Sequence, residues 1–238
     1  AYEALLQHPW ALHEAALAAF ARLGATALPL LRRKLQTAPA DRRRTLLALG
    51  QLGPDAAPVV PVLIEMLAEK RDRHVLRALG EIGPAAKGAV PALTAIIEGT
   101  GSTSFFVDDA AMALYRIEPS SDLALRAMLI EFSRSGGTND RVRETFRQFP
   151  AEMASRLVRI IHDPGPGKEA TRCPRAGLQA LVEMGPRAKP AEDQVVALFR
   201  TYLDSGNGVR AALAAEVLGN CEAEAVDDSL YTAMQSDY

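Results

Sequence analysis

The sequence is poor in aromatic residues and cysteine, and each shortage narrows the possible structures. Aromatic side chains make up 5% of the 238 residues, whereas 48% of the residues are hydrophobic. The apolar residues are mainly alanine and leucine, which favour helix over sheet. The two cysteines form neither a Cys-x-x-Cys pair nor a disulfide framework. No run of about 18 apolar residues is present, which predicts that the chain has no transmembrane segment.

The chain also lacks an excess of either charge. Its 27 basic and 29 acidic side chains give a net charge of −2, which argues against a dedicated nucleic-acid-binding protein. The distribution is uneven, because residues 1–80 are net positive while residues 201–238 hold seven acidic side chains and one arginine. In an elongated molecule this asymmetry can orient a partner, although scattered solvent-exposed charge is an equally good interpretation.

The dominant feature of the sequence is an internal repeat. The phrase Leu-Gly-Gln-Leu-Gly-Pro at 49–54 returns as Leu-Gly-Glu-Ile-Gly-Pro at 79–84 and, less closely, as Leu-Val-Glu-Met-Gly-Pro at 181–186. Degenerate copies fill the rest of the chain at spacings of 29–37 residues, a period typical of helical repeat proteins. The repeat predicts a single domain, 1–238, of seven units with approximate bounds 1–37, 38–69, 70–100, 101–133, 134–165, 166–205 and 206–238.

Each repeat is predicted to contain two helices. In the second repeat Leu46, Leu49 and Leu52 recur at helical spacing on one face of a first helix. Gly53 stands where the end of a helix favours a residue with positive φ, and Pro54 prevents the helix from continuing.

The second helix of the same repeat is predicted to be buried. Pro58 and Pro61 are tolerated only in its first turn, so they mark the start, and the stripe that follows is apolar on most sides. Such a helix must be covered by more than its own hairpin, and stacked repeats provide the cover. The predicted buried stripe consists of Val62, Leu63, Met66 and Leu67.

The phrase at 78–86, Ala-Leu-Gly-Glu-Ile-Gly-Pro-Ala-Ala, and the Ala-Val-Pro-Ala-Leu that follows at 89–93 carry a family resemblance. They resemble the HEAT-repeat superfamily, in particular the short bacterial repeats of the phycobilisome-lyase type. The resemblance implies an all-α fold, a right-handed α-solenoid of about seven two-helix repeats. It also implies that second helices line a concave face that binds other proteins. The repeated residues serve packing and capping, so the resemblance indicates fold more than function.

Three enzyme groups use such repeats, and the residues support none of them strongly. Deoxyhypusine hydroxylases need four His-Glu pairs to hold two irons, whereas His13-Glu14 is the only such pair here. HEAT-like DNA glycosylases need a basic groove with aromatic residues, and the single tryptophan is Trp10, near the start of the chain. A phycobilin-lyase-like or other chromophore-handling role is the main alternative. In that role Cys173 or Cys221 is the candidate thiol, although both are more simply interpreted as structural. Cys173 precedes a proline at a predicted helix start, where the helix dipole lowers a thiol pKa.

The favoured prediction is a non-catalytic scaffold or adaptor that binds a protein partner through the concave face. No catalytic, metal-binding or cofactor-binding residue is assigned. The outward positions of the second helices change along the chain from basic to acidic and then to small and neutral, which favours a mixed protein surface over nucleic acid. Phe105 and Phe106 lie beside a Gly/Ser link. They are either an exposed hydrophobic anchor for a partner or folded back onto the next helix. The candidate partner-binding residues are Arg32, Arg33, Glu65, Glu69, Phe105 and Phe106.

The partner, the oligomeric state and the compartment stay open at this point. The chain begins at Ala1 rather than methionine, so we expect it to be processed, trimmed or a fragment. Both a cytoplasmic location and export after removal of a signal are compatible with the sequence.

Overall fold

The structure is a computed structural model, and it describes residues 22–37, 42–99, 104–165 and 171–221. Within these ranges the chain is all-helical, with no β-strand. Twelve α-helices are present there, and several are preceded by short 3₁₀ segments. In chain order they are α1 (Leu28–Thr37), α2 (Arg42–Leu52), α3 (Val60–Glu69), α4 (Arg73–Ile82), α5 (Val90–Glu98), α6 (Ser104–Ile117), α7 (Asp122–Arg134), α8 (Asp140–Arg147), α9 (Glu152–His162), α10 (Cys173–Met184), α11 (Glu192–Asp204) and α12 (Gly208–Asn220).

The chain forms two compact units, residues 1–124 and 125–238. When the helices are assigned to the predicted repeats, each even-numbered helix is the first helix of its repeat and each odd-numbered helix is the second. The assignment of all seven repeats to one domain stays a prediction.

In the first unit, first helices pack on first helices. Helix α2 contacts α4, and α4 contacts α6, while α3 contacts α5 on the other layer. Helix α2 buries six of its 11 residues and α4 six of its 10, whereas α3 buries three of 10 and α5 two of nine. The first helices are therefore the better covered layer of this unit.

The predicted stripe on α3 is only partly confirmed by this arrangement. Leu63 and Leu67 are buried, as predicted, whereas Val62 and Met66 are only partly buried and pack against the same core. The predicted place of Pro58 in the first turn of α3 is wrong, because Pro58 lies in the 3₁₀ segment that precedes the helix.

The second unit repeats the same pattern of neighbours. Helix α8 contacts α10, α10 contacts α12, and α9 contacts α11. Phe146 on α8 stands edge-on to two other rings, with centroid distances of 5.2 Å to Phe132 and 5.3 Å to Phe149. Edge-to-face pairs of buried rings stabilise a core beyond the area that they bury.

Three 3₁₀ segments, which we call the Gly-Pro segments, join a first helix to the second helix of the same repeat. They are Gly53–Val59, Gly83–Ala89 and Gly185–Ala191. The first glycine of each has a positive φ, 56°, 69° and 56°, which confirms the prediction made for Gly53. The fourth residue of each segment is an alanine with no exposed surface, so its methyl group is part of the core. Local sequence therefore ends these three first helices, α2, α4 and α10, and starts the turn back.

One stretch, Arg42–Glu69, is long and apolar enough, by length and composition alone, to cross a membrane. Core helices of proteins outside membranes have the same length and composition, so these two properties do not assign a membrane span. The stretch consists of α2, a Gly-Pro segment and α3, and the positive φ of Gly53 with the adjacent Pro54 separates the two helices.

Candidate functional site

Helix α1 borders a shallow open groove of about 390 Å³, which we call the α1 groove. The other wall is the end of the Gly-Pro segment Gly53–Val59. The groove combines an apolar floor with two guanidinium groups and an amide. Its lining residues are Leu28, Pro29, Arg32, Arg33, Gln36, Pro58 and Val59.

A second groove of about 310 Å³, the α9 groove, lies between α9 and α11 in the other unit. Val158 is its apolar element and is almost fully buried. Polar groups of four kinds surround it: a hydroxyl, a guanidinium, an imidazole and an amide. They belong to Ser155, Arg159, His162 and Gln194.

The two grooves use the same register of a second helix. Helix α1 contributes position 28 and the set 29, 32, 33 and 36, and α9 contributes the set 155, 158, 159 and 162. Both sets have the spacing i, i+3, i+4 and i+7, which places four side chains on one helical face. An arginine occupies the i+4 position of each set, Arg33 and Arg159, so the repeat places a cation at corresponding points of two separate surfaces.

Neither groove has a carboxylate among its lining residues. Arg32 and Arg33 are exposed on α1. Arg159 and His162 are also exposed, and within the described ranges their side chains take part in no hydrogen bond or ion pair. Each groove therefore presents arginine side chains without an acidic residue in its lining, an arrangement suited to an anionic group.

The structure brings Arg32 and Arg33 together in the α1 groove but places the other predicted residues elsewhere. Glu65 and Glu69 are exposed on α3, outside the lining of either groove. Phe106, near the start of α6, is partly buried and packs against the core of the first unit. The side chain of Phe105 lies outside the described residues. A role for these four residues in partner binding stays a prediction.

Both cysteines are buried inside the second unit. Burial raises the pKa of the Cys173 thiol, and the positive charge of Arg126 opposes that effect only in part. The pKa lowering expected from the position of Cys173 at a helix start is therefore wrong, because the thiol is buried and desolvation disfavours the charged thiolate. Burial also raises the pKa of Cys221, whose thiol lies 3.6 Å from the carbonyl oxygen of Gly185. Both thiols fit a structural role.

Ion pairs between neighbouring first helices were not found by sequence reasoning. Glu183 on α10 accepts a hydrogen bond from Nε of Arg147 on α8 at 2.9 Å, and its other carboxylate oxygen lies 2.9 Å from Nε of Arg143 as an ion pair. In the first unit, Nε of Arg73 on α4 lies 3.2 Å from a carboxylate oxygen of the buried Asp109 on α6. The sequence signal for the Glu183 pairs was the acidic residue at the third position of the repeat phrase at 181–186. The corresponding Glu81 of the phrase at 79–84 pairs instead with Arg77 of its own helix.

The described residues contain no cluster of three or more His, Cys, Asp or Glu side chains that could hold a metal ion. The His13-Glu14 pair and Trp10 lie outside the described ranges, so the structure does not bear on them.

Comparison with models of protein families, with curated proteins and with solved structures found no match. The resemblance to HEAT repeats therefore stays a prediction.

Proposed function

We propose that this protein is a HEAT-like α-solenoid that acts as a non-catalytic scaffold and binds a protein partner along its second helices. The supporting observation is the pair of grooves in the same register, because a repeated surface of exposed polar residues over an apolar floor is suited to recognising a chain rather than to converting a small molecule.

The packing pattern agrees with a solenoid. In each unit the first helices contact the next first helices, and one pair of successive second helices, α3 with α5 and α9 with α11, is also in contact. Such nearest-neighbour packing extends an array by adding repeats, each of which covers the apolar face of the one before. The less buried layer of the first unit consists of second helices, which are then the layer available to a partner.

The α1 groove is the proposed contact surface in the first unit. Arg32 projects from an exposed position beside Leu28 and Pro29, so a partner gains both apolar burial and charge pairing there. Interfaces of this kind are enriched in arginine because its guanidinium group packs flat while it donates several hydrogen bonds.

A chromophore-transfer role has weaker support. A thiol-dependent transfer requires an accessible cysteine, and both cysteines of the chain are buried.

The test compares Arg32→Glu with Arg43→Glu in affinity capture from the native lysate. Both arginines are exposed in the first unit, and both variants change the net charge equally, but Arg43 lies on the first helix α2 and lines neither groove. We expect wild type and Arg43→Glu to retain one stoichiometric protein that Arg32→Glu loses. Equal retention by all three proteins contradicts the α1 groove as the contact, and multiple turnover by the purified chain contradicts a non-catalytic role.

A further inference from the structure

The α9 groove presents a set of hydrogen-bond donors with no acid among its lining residues. Arg159 and His162 lie three residues apart on α9, so their Cβ atoms are about 5–6 Å apart on one helical face. The amide of Gln194 faces them from α11, and Ser155 adds a hydroxyl one turn before Arg159. In the described part of the chain, no internal partner occupies the side chains of Arg159 and His162.

The size of the groove limits what it can hold. Its volume of about 310 Å³ is at the lower end of the range for small-molecule sites, which is about 300–1,000 Å³. The groove is open rather than enclosed, and only Val158 provides an apolar floor. These features suit one or two side chains of a longer chain that continues past the groove, rather than a whole cofactor.

The spacing of Arg159 and His162 matches alternate side chains of an extended peptide. In an extended peptide, side chains at i and i+2 point to the same side about 6.6 Å apart. Two carboxylates at that spacing reach Arg159 and His162 together, because the flexibility of both side chains covers the small difference in separation. A guanidinium group also binds a carboxylate with two parallel hydrogen bonds, which a neutral amide cannot match.

We infer that the α9 groove binds an extended acidic segment of a partner protein, with two carboxylate residues separated by one residue. Arg159 pairs with the first carboxylate, while His162 and Gln194 donate hydrogen bonds to the second. This inference rests on the proposed scaffold function and specifies the chemistry of the partner at one of its surfaces.

The first experiment measures fluorescence polarisation of labelled short peptides with the full chain at low salt. The probe has two glutamates separated by one residue in a glycine–serine background. Control peptides carry two glutamines, two lysines, or two glutamates separated by three residues. We expect only the Glu-x-Glu peptide to bind well, with an affinity that falls as salt is raised. Equal binding of the glutamine or lysine peptide overturns the inference.

The second experiment uses matched variants of the protein. Arg159→Gln removes the charge from the groove, whereas Arg175→Gln removes the same charge from an exposed position on α10 that lines neither groove. We expect Arg159→Gln to bind the Glu-x-Glu peptide about five- to tenfold more weakly, and Arg175→Gln to bind it within about twofold of wild type. Equal losses in the two variants overturn the inference, because they show a general effect of net charge.

Two further measurements complete the test. Circular dichroism should show the same unfolding temperature for Arg159→Gln as for wild type, since the side chain is exposed. Inorganic phosphate at the concentration of the peptide should not displace it; full displacement shows a simple anion site and overturns the peptide assignment. A partner whose capture depends on Arg32 supports the scaffold function whatever the peptide result, so the two proposals fail separately.

Discussion

Replacement of Gly83 by alanine tests whether the Gly-Pro segments depend on backbone conformation rather than on space. Gly83 ends α4 with φ 69° and ψ −144°, a region that residues with a Cβ atom rarely adopt. A Cβ atom at this position meets nothing closer than the carbonyl oxygen of Arg116, at 4.0 Å. The expected cost is therefore conformational, about 1–3 kcal/mol.

Gly88, in the same segment, provides the matched control. A Cβ atom there meets no atom within 4 Å, and its φ lies outside the left-handed region. Gly88→Ala should therefore stabilise the protein by about 0.4–1 kcal/mol, because alanine restricts the unfolded chain more than glycine does.

The measurement is thermal and urea unfolding of both variants followed by circular dichroism. For a chain of this size, 1 kcal/mol corresponds to a shift of about 2–4 °C in Tm. We expect Gly83→Ala to unfold at a lower temperature and Gly88→Ala at the same or a higher one. If both variants lose stability equally, the positive φ of Gly83 does not explain why glycine is needed at this position, and the prediction is refuted.

Three further predictions concern packing, charge and thiol chemistry. Gly80→Ala should lower the free energy of unfolding in urea by about 1–3 kcal/mol, because the new Cβ atom would lie 2.9 Å from the backbone Cα of Ala113. A variant as stable as wild type would show that α4 and α6 can move apart without cost. Glu183→Gln should lower the free energy of unfolding by about 1 kcal/mol at low salt and by less at high salt, since it removes two ion pairs with partly exposed arginines, each with an N–O distance of 2.9 Å. A loss of stability that does not depend on salt would contradict a charge effect. Cys173 should react slowly with a thiol reagent in the native protein at neutral pH and rapidly in urea, because burial both shields the thiol and raises its pKa. Rapid labelling of the native protein would contradict the burial of this thiol.

Much of the local structure could be predicted from the sequence. Gly53 ends a helix with a positive φ, and Pro61 lies in the first turn of α3. Both outcomes depend on neighbours within a few residues, because glycine permits backbone angles that other residues avoid and proline lacks the donor that a helix interior needs. Helical periodicity likewise predicted the all-α character of the described residues.

The candidate site was less accessible to sequence reasoning. Arg32 and Arg33 were selected as outward positions, but nothing in the sequence showed that Pro58 and Val59 form the opposite wall of their groove. The α9 groove was missed, because Arg159 and His162 belong to a degenerate repeat that lacks the Gly-Pro phrase. Its signal is the i, i+3, i+4, i+7 register shared with α1, which becomes visible only when the grooves are compared.

The sequence by itself determined the helices, their ends and the glycines that terminate them, since these depend on short-range sterics and hydrogen bonding. Only the tertiary structure decided which polar groups converge and which are buried. Burial raises the pKa of Cys173, although its position at the start of a helix favours a lower pKa. Glu183 pairs with two arginines that lie about one repeat earlier in the chain. Charge pairing and desolvation depend on neighbours that are distant in sequence, and packing brings those neighbours together.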